Sequence, residues 1–174
     1  MMNKIVSDPR EWLYPNPVVL VSCGLGEEAN IVTLAWAGTV CSRPPMVSIS
    51  LRPATHSHGL LRRNGEFVLN IPTLDLMEAV HICGLRSGRD CNKWAVTGLH
   101  PDRSEKIATP GIAECPISLE CRIRHMLDLG LHTLFIGEVL CTRKDPDWKT
   151  RALPPVFLEN KYYALKEAPY QERR

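Results

Sequence analysis

Met46-Val47-Ser48-Ile49-Ser50-Leu51-Arg52-Pro53-Ala54-Thr55-His56-Ser57 is the stretch whose reading decides the fold. Its first half alternates, with Val47, Ile49 and Leu51 on one face of a strand and Ser48, Ser50 and Arg52 on the other. One face suits a core, while Leu51 buries its side chain and offers its backbone. The other face aligns hydroxyls and a guanidinium, then runs into Pro53, Thr55, His56 and Ser57, which read as the mouth of a short helix. Free backbone amides and the positive dipole end attract anions at such a mouth. Ser50, Arg52, Thr55, His56 and Ser57 therefore make a candidate phosphate clamp. The same residues also fit the solvated face of an ordinary strand followed by a helix cap.

Working outward, the chain before this stretch reads as paired strands. Pro17–Cys23 is a β-branched run, Gly24–Glu28 supplies turn chemistry, and Ala29–Ala37 returns as a second strand. Gly38–Pro45 reads as a loop, because Pro44 and Pro45 cannot donate to a ladder. After the clamp, His58–Arg63 reads as a short helix stopped at Asn64-Gly65, and Phe67–Ile71 as a strand. Thr73 is placed to cap a helix bearing Leu74, Met77 and Val80, and Asp90 to cap another over Cys91–Thr97. Residues 99–116 look irregular. Ile117–Met126 and Leu131–Cys141, joined by Asp128-Leu129-Gly130, form the clearest hairpin, and short strands follow around Val156 and Tyr162. Many short sequential strands with small inserted helices predict a mainly β, compact barrel. A doubly wound parallel sheet would need long crossover helices that the chain does not supply.

Composition narrows the function classes. A length of 174 residues predicts a single domain over 1–174 with its core at about 15–165, and 44% hydrophobic residues supply that core. The net charge of +2 comes without a basic stripe, so nucleic acid is not an expected partner. No apolar run reaches the roughly 20 residues that span a bilayer, and the amino terminus has no apolar signal core. No membrane association and a cytoplasmic location are expected. The seven cysteines show no C-x-x-C spacing, which predicts reduced thiols and no metal centre.

The common catalytic templates are missing: no G-x-S-x-G elbow, no phosphate-loop motif, and no strand-linked G-x-G-x-x-G. What the chain does carry could wrap a phosphorylated aromatic ligand. Thr33, Ala35 and Trp36 offer a hydroxyl, a small residue and a flat ring on one strand, and Gly38 permits close backbone approach. Ser87, Gly88, Arg89 and Lys93 add donors at a second helix mouth. Read singly, Trp36 fits a core position, Lys93 a solvated charge and His132 a hydrogen-bonded core histidine.

Read together, the segments N-I-V-T-L-A-W (30–36), S-R-P-P-M-V-S-I-S-L-R-P (42–53), F-V-L-N-I-P (67–72), C-G-L-R-S-G-R-D (83–90) and H-T-L-F-I-G-E-V (132–139) resemble the flavin reductase-like, FMN-binding split-barrel family that includes the flavoredoxins. The resemblance runs in order from about Pro15 to Tyr163. It implies a six-stranded Greek-key split barrel, a homodimer, and FMN near the subunit interface. It also implies NADH or NADPH as electron donor, or else a partner electron-transfer protein. Carried over, the flavin ring lies against Thr33, Ala35 and Trp36, and the phosphate is held by Ser50, Leu51, Arg52, Thr55, His56 and Ser57, with Ser87 and Lys93 closing the far side. His132 matches a histidine near the nicotinamide. Two positions depart from the pattern: Gly130-Leu131-His132 stands where Gly-Asp-His is frequent, and Trp94 where phenylalanine is common.

Overall fold

The seventh and first strands of the central sheet are nearly continuous in sequence, and that fact gives the molecule its shape. A computed structural model describes residues 4–150 and 154–165. Its strands are β1 (Asn16–Pro17), β2 (Val19–Cys23), β3 (Asn30–Leu34), β4 (Ala37–Ser42), β5 (Pro45–Leu51) and β6 (Glu66–Ile71). They continue as β7 (Pro101–Asp102), β8 (Gly111–Ile112), β9 (Ile117–Asp128), β10 (Thr133–Lys144), β11 (Val156–Leu158) and β12 (Lys161–Tyr163). Three α-helices are inserted: α1 (His56–Asn64), α2 (Met77–Leu85) and α3 (Lys93–Thr97).

Seven strands form one antiparallel sheet in the order β3-β2-β6-β9-β10-β5-β4. Its two edges, β3 and β4, are joined by only Ala35 and Trp36. Two residues cannot cross a flat seven-stranded sheet, where strands stand about 4.8 Å apart. The sheet is therefore rolled, and the Ser50 amide donates to the Trp36 carbonyl at 3.0 Å, which carries the β4–β5 ladder up to the bend. This is a mainly β split barrel, with seven strands in place of the expected six because the segment 30–42 bends at Ala35–Trp36 into two.

The predicted alternation of β5 holds: Val47, Ile49 and Leu51 are buried, and Ser48 and Ser50 lie on the opposite, half-buried face. They join Val19, Val21, Phe67, Leu69, Cys121 and Phe135 inside the barrel, with Leu60 and Leu61 of α1 closing one end. A second core, with Val18, Leu20 and Ile31 on one side and Ala79, Val80 and Cys83 of α2 on the other, clamps the helices onto β2 and β3. Strand β2 is consequently buried on both faces.

Three expectations need correction. Residues 38–42 are strand β4, not loop. This strand lies at the sheet edge and pairs only with β5; Arg43 and Pro44 form the turn, and Pro45 stands opposite Ser42 as the first residue of β5, a strand position where proline is tolerated. Helix α3 is capped by Asn92, whose side chain accepts from the Ala95 amide at 3.2 Å, and not by Asp90. Thr73 precedes a 3-10 turn (Leu74–Leu76) without a side-chain cap bond, and α2 proper starts at Met77. The stretch 99–116 is largely irregular. Buried Glu120 fixes it by accepting from the Glu105 and Lys106 amides, and Glu66 does so through the Ala108 and Thr109 amides.

Candidate functional site

Depressions open along β3 and, separately, beside Trp36 and β5, and they divide the sequence-predicted residues among them. The first, about 300 Å³, lies between the mouth of α1 and the loop after α2. Arg52, Thr55, His56, Ser57, Ser87 and Lys93 all line it. Arg86 and Arg89 line it too, and among the described residues no carboxylate does. Four cationic side chains and one histidine in one cleft make a strongly positive potential.

Helix α1 starts here for a local reason. Thr55 has extended backbone, its hydroxyl accepts from the His58 amide at 3.3 Å and donates to the Arg52 carbonyl at 2.9 Å. Its single proton is thus committed, and Thr55 builds the mouth without offering that proton to a ligand. Ser57 is buried, and its hydroxyl oxygen accepts from Asn30 Nδ2 at 2.8 Å, tying the helix to β3. The remaining amides of the first turn have no intrahelical partners, which is what an anion requires.

Lys93 departs from the solvated charge its helix position suggested. It is 4% exposed, and its ammonium donates to the carbonyls of Ile31 and Cys83, each at 2.8 Å. Burial pushes its pKa down. Among the described residues no carboxylate pairs with it. A buried cation without a counter-ion is costly, by several kcal/mol per ion. Its charge also suppresses protonation of His56, whose pKa is lowered first by burial, then by Arg89 and Arg63, with a smaller contribution from Lys93. A bound anion would offset both effects.

The loop 86–90 lies tight against this cleft. A Cβ on Gly88 would strike Asn30 Oδ1 and come within 2.8 Å of His56 Cδ2, so only glycine lets the backbone close over the α1 mouth. Arg89 locks the loop from outside, donating from Nη1 to the Ala54 carbonyl at 3.0 Å. Arg86 carried no sequence signal. Arg89 was visible only as one more donor beside Ser87, because nothing local shows that it reaches Ala54.

A second depression of about 380 Å³ adjoins the first through Gly84 and Leu85, and Thr33 and Ala35 line it. The Thr33 hydroxyl donates to the Val80 carbonyl at 2.5 Å, so it anchors α2. What Thr33 and Ala35 present outward is backbone. On the free edge of β3 the Ala29 and Ile31 carbonyls are taken by Trp94 Nε1 and Lys93 Nζ. By strand alternation the backbone groups of Thr33 face the same side, and Ala35 follows in the bend beside it. That edge can hydrogen-bond a planar heterocycle as it would another strand.

The third depression, about 370 Å³, holds Trp36 and Ser50. Ser50 and Arg52, although close in sequence, therefore line different depressions. Leu51 is buried at 2% exposure and pairs through its backbone with Thr133. His132 sits just before β10, its ring tilted 46° against Trp36 with ring centroids 4.6 Å apart. Trp36 is thus a half-exposed wall, 41% exposed, and not a core residue. No trio of histidine, cysteine or carboxylate side chains is placed to hold a metal among the described residues.

The pattern of the family described as "Flavin reductase like domain" matches residues 11–166. The chain belongs to this flavin reductase-like family. An uncharacterised protein of Archaeoglobus fulgidus is 34% identical over 139 residues, covering 80% of this chain and 78% of the relative. The flavoredoxin of Desulfovibrio vulgaris (Miyazaki F) superposes with a TM-score of 0.86 at 29% identity, covering 97% of both chains. An FMN-binding protein of Thermus thermophilus, solved with 1-cyclohex-2-enone bound, shares the fold at a TM-score of 0.83 and 20% identity, covering 99% of this chain and all of that one. Within the flavin reductase-like frame, the residues fit a flavin mononucleotide: a cation-lined cleft for its phosphate, and a β3 edge beside it for its ring.

Proposed function

We propose that the chain is an FMN-dependent oxidoreductase of the flavin reductase type, which passes hydride from NADH or NADPH to bound flavin and electrons on to an acceptor. The observation that carries this is the acid-free cleft with buried, unpaired Lys93, adjoined along β3 by a free backbone edge. Bound FMN would supply the hydride-accepting ring. The protein's part is to hold and orient it, because hydride transfer demands alignment and a site that limits water more than it demands an acid or base. Arg52, Arg89, Lys93, Ser57 and the first amides of α1 would take the phosphate. The Thr33 and Ala35 backbone and the Trp36 ring would hold the heterocycle. His132, fixed against Trp36, would contact the nicotinamide.

The reading extends to a homodimer, with flavin near the interface, and to a cytoplasmic setting, in keeping with seven free thiols. The test is anaerobic mixing of FMN-loaded protein with NADH and with NADPH. Loss of the oxidised-flavin band at about 450 nm with either donor is expected. Persistence of the band with both rejects direct turnover.

One observation favours a second reading, a flavoredoxin-type carrier reduced by a partner protein. Leu131 stands in the place of an acid that often precedes the histidine, and it is 77% exposed. An apolar tip suits a protein surface better than a dinucleotide. Rapid reduction by a ferredoxin-like donor, with negligible NAD(P)H oxidation, would select this reading.

A further inference from the structure

A polar depression of about 290 Å³ continues from the cation-lined cleft at its Asn30 end. The two share Asn30, His56, Gly88, Arg89 and Lys93, so they are one path with a change of lining. The first part has no carboxylate, whereas Glu27, Glu28 and Asp90 line the second. Glu28 is drawn aside by Arg63 at 3.3 Å. Glu27 and Asp90 are exposed and face the continuation.

Arg89 and Lys93 line both parts, so the continuation adds carboxylates to a cationic lining, and the order of the depressions along β3 gives that addition a meaning. Ala35 marks the heterocycle end, Val32 the cation-lined cleft, and Ala29 the carboxylate-bearing continuation, with Asn30 shared between the last two. A ligand with its ring at Ala35 and its phosphate in the cleft points any further group toward Glu27 and Asp90. For a flavin mononucleotide nothing follows the phosphate. For a flavin adenine dinucleotide a second phosphate and a ribose follow, and that phosphate carries a negative charge.

We infer that Glu27 and Asp90 are specificity-determining residues that make the site select a flavin monophosphate over the dinucleotide. The inference rests on the flavin reading above and deepens it. The mechanism is like-charge repulsion at an exposed rim, which screens with salt because the Debye length shrinks from about 30 Å at 0.01 M to about 3 Å at 1 M.

The experiment is fluorescence titration of flavin-free, full-length protein with FMN and with FAD. The unaltered chain is expected to bind FMN about tenfold more tightly at low salt, with the gap narrowing as salt is raised. The double substitution Glu27→Gln with Asp90→Asn should tighten FAD about fivefold and leave FMN within about twofold. Glu27→Lys, which reverses the charge, should favour FAD further. Equal affinity for the two flavins in the unaltered chain overturns the inference, as does an unchanged FAD-to-FMN ratio in both variants. Binding of neither flavin sinks the flavin reading itself, and is told apart by the FMN titration alone.

Discussion

Lys93 and His58 show how burial sets the chemistry of single residues. Lys93 is held by two carbonyls at 2.8 Å and no anion, so it contributes charge to the cleft rather than a mobile contact. Arg52, by contrast, is exposed at the cleft's rim. Arg52→Ala should weaken FMN binding about tenfold, the low end for a charge-assisted contact, read by flavin fluorescence titration. His58 Nε2 lies 2.9 Å from Thr133 Oγ1, and that hydroxyl's one proton goes to Asp128 Oδ1 at 2.8 Å. The ring nitrogen must therefore be the donor. Burial, with Arg62 nearby, lowers the His58 pKa below its usual 6.5. The unfolded chain then takes up the proton first as pH falls, so stability is full above 6.5 and declines from there toward the folded value. Urea unfolding at successive pH values should show this decline, and His58→Gln should flatten it. Such details were beyond the sequence: the motif around Ser57 pointed to a helix mouth, but carbonyls reaching Lys93 from β3 and α2 exist only once the chain is folded.

Elements were legible where side-chain period and backbone rule agreed. Strands β5, β6 and β9 were legible by alternation, and the structure buries Val47, Ile49, Leu51, Phe67, Leu69 and Cys121 on the predicted faces, although Ser118 and Glu120 on the opposite face of β9 are buried as well. Strand β4 was hidden because Pro44 and Pro45 follow it and its residues are mostly exposed. An edge strand packs little and so leaves little periodic signal. The β9–β10 pair carries a further constraint. Its register shifts between Ile136 and Gly137, and a Cβ on Gly137 would meet Phe67 Cε1 at 2.7 Å. Phe67 is fully buried in the barrel and has no room to yield. Gly137→Ala should therefore destabilise the fold by about 1–3 kcal/mol, measured as a lower urea midpoint. A neutral result would mean that the Phe67 ring repacks.

The whole molecule leaves apolar groups on one hairpin tip, where Met126, Leu127, Leu129 and Leu131 are 46–77% exposed. The proposed homodimer would cover surface of this kind. Sedimentation should give twice the chain mass, and Leu129→Glu with Leu131→Glu should lower it if the tip lies in the interface. A monomer for the unaltered chain removes the dimer from the reading. The sheet order has another consequence, for how the barrel is made. Strand β5, which leads into the α1 mouth, is flanked by β4 and by β10, which starts only at Thr133. While the chain is being synthesised, β2, β3 and the β4–β5 hairpin emerge early, but β5 has no partner on its inner side until the last long strand arrives. Contacts so distant in sequence form slowly, since loop closure must come before their reward. The cleft is thus among the last parts of the molecule to exist, and a ribosome that stalls before β10 releases a chain with no site.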